Sequence, residues 1–130
     1  MAITKVHDFW PGLQAGSDLS THQYKFVERS GTAKRVSVCN SAADYPIGVL
    51  YNKPDAAGEG ADVAPLVAGS VLKVKVAAAG LSAGDYVGTD ASGELVAKTA
   101  AGAFVVGQVD QAWSDNDYAE VFVNPRMIPA

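Results

Sequence analysis

The sequence is short of nearly every group from which reactive sites are built. It has one cysteine, Cys39, and two histidines, His7 and His22. A lone cysteine excludes an intramolecular disulfide and fits a reducing compartment. One thiol and two distant imidazoles do not supply the ligand set of a zinc site. No apolar run approaches the ~18 residues of a membrane span. Residues 1–12 hold Lys5, His7, Asp8 and Pro11 without an apolar stretch, so no signal peptide is expected. Cations are also scarce: 10 Lys and Arg stand against 14 Asp and Glu, for a net charge of −4. The densest basic group is the pair Lys34-Arg35, whereas phosphate binding needs clustered cations. Neither nucleic acid nor a membrane is therefore expected as a partner, and the chain reads as one made in a cytoplasm or released from it by lysis.

Helical patterning is missing too. No window of about a dozen residues keeps an i, i+3, i+4, i+7 apolar stripe free of Gly and Pro. What is present is a period of two, broken by turn residues every ~8–12 positions, the spacing of a sandwich or barrel. In residues 71–76, Leu72, Val74 and Val76 point to one side and Lys73 and Lys75 to the other. Further strands are expected over residues 23–29, 35–39, 46–51, 61–67, 85–89, 94–98, 104–112 and 118–123. Turns such as Ser30-Gly31, Asp90-Ala91-Ser92-Gly93 and Ser114-Asp115-Asn116-Asp117 separate them. The fold class is all-β, in one domain. Many apolar residues are alanine and large anchors are few, so the core should be thin.

Residues 1–17 show no alternation and read as an irregular N-terminal arm to a β domain of residues 18–130. The arm carries Ile3, Val6, Phe9 and Trp10, large apolar groups that gain by being covered. They pack either on their own domain or on a neighbouring subunit, where aromatics are enriched. A weak internal duplication is also visible. Leu19-Ser20-Thr21-His22-Gln23-Tyr24 aligns with Leu81-Ser82-Ala83-Gly84-Asp85-Tyr86 at Leu, Ser and Tyr. Each match leads to a strand, a Ser-Gly turn, another strand, an apolar-Gly step (Ile47-Gly48-Val49; Val106-Gly107-Gln108) and a further strand. A closed barrel or sandwich with pseudo-two-fold symmetry would follow.

Groups able to do chemistry are few and scattered. Nucleophilic catalysis needs a nucleophile, a base and an orienting group, and no Gly-x-Ser-x-Gly elbow is present. His22 is expected at a solvated strand edge, and Cys39 as a small buried hydrophobe. Asp110, Asp115, Asn116 and Asp117 offer oxygen ligands to calcium, but without the Gly and distal Glu of a calcium loop they read as a hairpin turn. Gly58-Glu59-Gly60 lacks the Lys-Ser/Thr of a phosphate loop, and its Glu repels anions. No catalytic residue, metal or other cofactor is expected, and the chain is not read as an enzyme.

One resemblance spans residues 18–123. It is carried by Ile47-Gly48-Val49-Leu50-Tyr51-Asn52-Lys53-Pro54 and Gly80-Leu81-Ser82-Ala83-Gly84-Asp85-Tyr86-Val87, followed by Val106-Gly107-Gln108-Val109 and Ala119-Glu120-Val121-Phe122-Val123. In this order the motifs resemble the capsid decoration, or cement, proteins of tailed bacteriophages. The resemblance implies a compact, tulip-like β-barrel or sandwich on the outer face of the expanded head. Its partner there would be the major capsid protein, often bound as a homotrimer that stabilises the shell, with the virion as its location. Attachment through the arm is expected to use Ile3, Val6, Phe9 and Trp10. A β-sandwich adhesion module for carbohydrate or a host surface, or another head or tail component, are the competing readings.

Overall fold

A computed structural model describes residues 8–129. All its regular structure is strand, as the period-two pattern requires. The strands are β1 (Gln14–Ala15), β2 (Phe26–Arg29), β3 (Arg35–Val38), β4 (Gly48–Leu50), β5 (Val63–Pro65), β6 (Val71–Lys75), β7 (Tyr86–Thr89), β8 (Leu95–Ala97), β9 (Phe104–Gln108) and β10 (Tyr118–Met127). They form two five-stranded sheets, ordered β1-β3-β2-β4-β5 and β6-β10-β9-β7-β8. The expected strands are all present, with three differences. β9 stops at Gln108, four residues early, and Val109 instead exchanges backbone bonds with Gly84 and Asp85 in the loop before β7. β10 runs on to Met127 past an irregularity between Val123 and Arg126, where Pro125 has no N–H to give the ladder. The arm is not wholly irregular, since β1 lies inside it and pairs in parallel with β3.

The two halves repeat one pairing scheme. β2 pairs with β3 and β4, and β4 with β5; β7 pairs with β8 and β9, and β9 with β10. Val27 faces Gly48 as Val87 faces Gly107. Ala15 pairs in parallel with Val36, and Val76 forms a parallel bridge with Leu95. Leu19 N donates to Pro54 O, and Leu81 N to Trp113 O, both at 2.8 Å. The match between Leu19 and Leu81 seen in the sequence therefore corresponds to equivalent places. That between Tyr24 and Tyr86 does not: Tyr86 pairs with Gln108 as Phe26, two residues past Tyr24, pairs with Val49.

Both apolar-Gly steps have the same cause. A Cβ on Gly48 would collide with the Ala64 carbonyl oxygen, and one on Gly107 with the Phe122 carbonyl oxygen. Only glycine lets the neighbouring strand come this close.

The core is built of medium-sized side chains in two clusters. One lies inside the first half: Leu13, Ala15, Leu19, Val27, Val36, Leu50, Ala61 and Val63. The other joins the interior of the second half (Val76, Leu81, Val87, Leu95, Val109, Ala119, Val121) to Phe26, Val49 and Ala64 from the first. Each fully covered Val, Leu or Phe is worth roughly 1.5–3 kcal/mol, so the second cluster binds the halves into one body. Polar contacts seal the joint. Lys75 N donates to Tyr24 O at 2.9 Å and Phe26 N to Gly93 O at 2.8 Å. Glu94 accepts from Lys75 at 3.0 Å and lies 3.4 Å from Lys25.

Candidate interaction surface

Strand pairing places Phe26, Val49 and Ala64 in one cross-strand row on the first half. The same pairing puts Tyr86, Gln108 and Phe122 in the corresponding row of the second half. The first row is wholly buried, against the second half. The second is open: Tyr86 is 42% exposed and Phe122 45%. Side chains on one face of neighbouring strands stand next to one another, so this row forms a continuous patch. The Arg126 guanidinium lies over the Tyr86 ring, 4.5 Å from its centroid, and a groove of about 500 Å³ continues from there past Val105, Met127 and Ile128. Asp110 lines a depression beside Phe122, and Glu120 precedes Phe122 by two positions on β10. A buried aromatic anchor row is what an interface core needs. Here the anchors are in place and, among the described residues, are left partly open.

The N-terminal segment is the second surface. Trp10 N donates to Val63 O at 3.0 Å, and its indole Nε1 donates to Ile47 O at 2.9 Å. Arg29 sits over the indole, 5.5 Å from its centroid. Phe9 packs on Tyr51, which meets Tyr24 edge-on, and Tyr24 meets Tyr118 in the same way. Lys73 Nζ lies 4.9 Å from the Tyr24 ring centroid and 5.5 Å from that of Tyr118. Cation–π contacts of this kind hold partly exposed rings at a fixed orientation. Phe9 and Trp10 thus rest on their own domain, yet remain 41% and 37% exposed. Ile3 and Val6, the other two arm residues singled out in the sequence, lie outside the described residues.

The residues weighed for chemistry take structural places. His22 is not solvated edge: it lies half-buried in the turn before β2, its Nδ1 has no partner among the described residues, and burial first, then Lys25, lowers its pKa. In the acidic turn, Asp117 accepts the Ser114 amide at 2.8 Å while Asn116 takes a left-handed backbone conformation with φ 67°. Glu59 accepts the amide of Asp55 at 2.8 Å.

The sequence reading missed one group of side chains, Glu28, Cys39 and Asp44, whose ligand atoms all lie within 4.8 Å of one another. Burial and then the two carboxylates push the Cys39 thiol up to about 12, so it stays protonated. Burial, the Asp44 charge and a hydrogen bond to Asp44 raise the Glu28 carboxyl. Asp44 accepts the amides of Asn40 and Ser41 at 3.0 Å, fastening the loop after β3. The group acts as a loop anchor. No spacing rule would find it, because Glu28 and Cys39 are brought together only by the β2–β3 pairing.

The fold defined by these two five-stranded sheets is a compact all-β one, of the barrel or sandwich class. No family model and no curated protein matches the chain. Among solved structures, it is similar to the head fiber gp8.5 N base in bacteriophage phi29. The TM-score is 0.61 at 15% sequence identity, over 86% of this chain and 90% of that one.

Proposed function

We propose that this chain is a structural protein of a bacteriophage head, a component of the virion that binds the outer surface of the expanded shell and stabilises it. The observation that carries the reading is the likeness in fold to a head fiber base over most of both chains. Partly exposed aromatic side chains held firmly on a β scaffold agree with it. The partner is the major capsid protein, met as a homotrimer, and the role is mechanical rather than enzymatic. Each bound copy bridges shell subunits and raises the free energy of separating them, and several weak contacts on one oligomer act together.

Attachment to the shell runs through the N-terminal segment, from Ile3 and Val6 to Phe9 and Trp10. The exposed flanks of Phe9 and Trp10 supply apolar area at ~25 cal/mol per Å², less the cost of ordering the contact. Because Phe9 and Trp10 are already seated on their own domain, that cost is reduced.

The test is to mix purified protein with undecorated expanded heads. Saturable, symmetric binding that raises the temperature at which heads burst is expected; heads that stay bare at micromolar protein would refute the reading. Deleting residues 1–7 and substituting Phe9→Ser leaves Trp10 and β1 in place, and should weaken head binding at least tenfold without lowering Tm by more than a few degrees.

A further inference from the structure

The two equivalent rows have unequal fates, and the difference points to a partner. Phe26, Val49 and Ala64 are covered within the chain, by a seat that includes β6 and the 90–93 turn of the second half. Leu72 and Val74 of β6 share their buried cluster, and Phe26 N bonds Gly93 O. Tyr86, Gln108 and Phe122 hold the same positions on the second half and, among the described residues, have no such seat.

The first half contains the counterpart of that seat. What β6 is to β10, the segment leading into β1 is to β5: Leu72 pairs with Val121 in one, and Trp10 N bonds Val63 O in the other. What the 90–93 turn is to β7 and β8, residues 30–34 are to β2 and β3. This seam, with Trp10, Arg29 and Lys34, is exposed.

We propose that the Tyr86–Gln108–Phe122 row docks on the Trp10–Arg29 seam of a second copy of this chain, repeating between molecules the contact that joins the two halves within one. The charges are complementary. Asp110 and Glu120 flank the row, while Arg29 and Lys34 stand on the seam; among the described residues none of the four is in an ion pair. The contact uses two different patches, so it is heterologous: it builds a ring of copies where the rotation closes and a chain of copies where it does not, never a two-fold pair. It rests on the oligomeric part of the function proposed above and deepens it: the sister copy meets the seam at Arg29 and Lys34, beside Trp10, whose exposed flank is left to the shell.

Complementation between two broken chains tests it. Phe122→Asp spoils the row and keeps the seam; Arg29→Glu with Lys34→Glu spoils the seam and keeps the row. Wild-type protein should associate beyond a monomer in sedimentation over rising concentration, and weaken with salt. Each variant alone should sediment as a folded monomer with the wild-type circular dichroism spectrum. Mixed together, they should form a one-to-one dimer that grows no further, since only one intact row and one intact seam remain. A wild type that stays monomeric at all concentrations, a Phe122→Asp chain that still associates, or a mixture that gives no dimer would each overturn the proposal. Head binding is read separately. Association without head binding sinks the proposed function alone, and head binding by non-associating wild-type protein sinks this contact alone.

Discussion

The halves of this molecule share the order of four strands, their pairing register and even the two glycines at their points of closest approach, yet they meet their surroundings differently. In the first half the outer row is Phe26, Val49 and Ala64, buried against the second half. In the second half it is Tyr86, Gln108 and Phe122, facing outward. The side-chain chemistry follows the environment. Covered positions carry purely apolar groups, whereas open ones carry a phenol, an amide and one phenyl ring, a composition that tolerates water and still offers contact area. One backbone frame thus serves once as an internal joint and once as an outward surface.

Substitution along the equivalent rows gives the largest expected contrast. Phe26→Ala should cost about 3–5 kcal/mol, as a fully buried aromatic leaves a cavity in the cluster that holds the halves together. Tyr86→Ala, at the matching place, should change stability by no more than about 0.5 kcal/mol. Chemical denaturation of both variants measures the difference, and similar costs would show that the second row is not open. The glycines should behave alike instead. Gly48→Ala and Gly107→Ala each force a methyl against a neighbouring carbonyl oxygen, at a cost of about 1–3 kcal/mol; a harmless alanine at either one would break the equivalence of the halves.

Two smaller effects sharpen the picture of the first half. Trp10→Phe keeps a ring under Arg29 but removes the indole donor to Ile47 O, and should cost about 1 kcal/mol in thermal melts. Glu28 gives a pH signature. Its carboxyl is raised in the fold above the ordinary value of 4.5, so the native state holds the proton longer than the unfolded chain does. Its contribution is complete below pH 4.5 and is lost as pH rises through the raised value. Glu28→Gln should therefore stabilise the protein at pH 8, by less than about 1 kcal/mol, with the gain fading towards pH 4. A gain that instead grew on acidification would reverse the sign of this coupling.

How much of this could be read beforehand depended on range along the chain. Alternation in residues 71–76 located β6 because each residue's side is fixed by its immediate neighbours. Local turn chemistry marked the 90–93 and 114–117 turns in the same way. The repeat was visible at Leu19 and Leu81, but the sequence alignment slipped at Tyr24 and Tyr86. The first half has two more residues between its leucine and its strand, which identity at one tyrosine conceals. β1 escaped because two residues are too few to show a period. The exposed row could not be foreseen, since cross-strand neighbours such as Tyr86 and Phe122 are joined only by register. Phe9 and Trp10 stood out by size alone, and nothing local told of the bonds from Trp10 to Val63 and Ile47.

The most direct test of the account is a cryo-electron-microscopy reconstruction of expanded heads saturated with this protein. The account predicts copies gathered in rings around three-fold positions, with the N-terminal segment facing the shell and the Tyr86–Phe122 row of each copy lying against the Trp10–Arg29 seam of the next. Isolated copies whose row faces solvent, or heads with no added density, would contradict it.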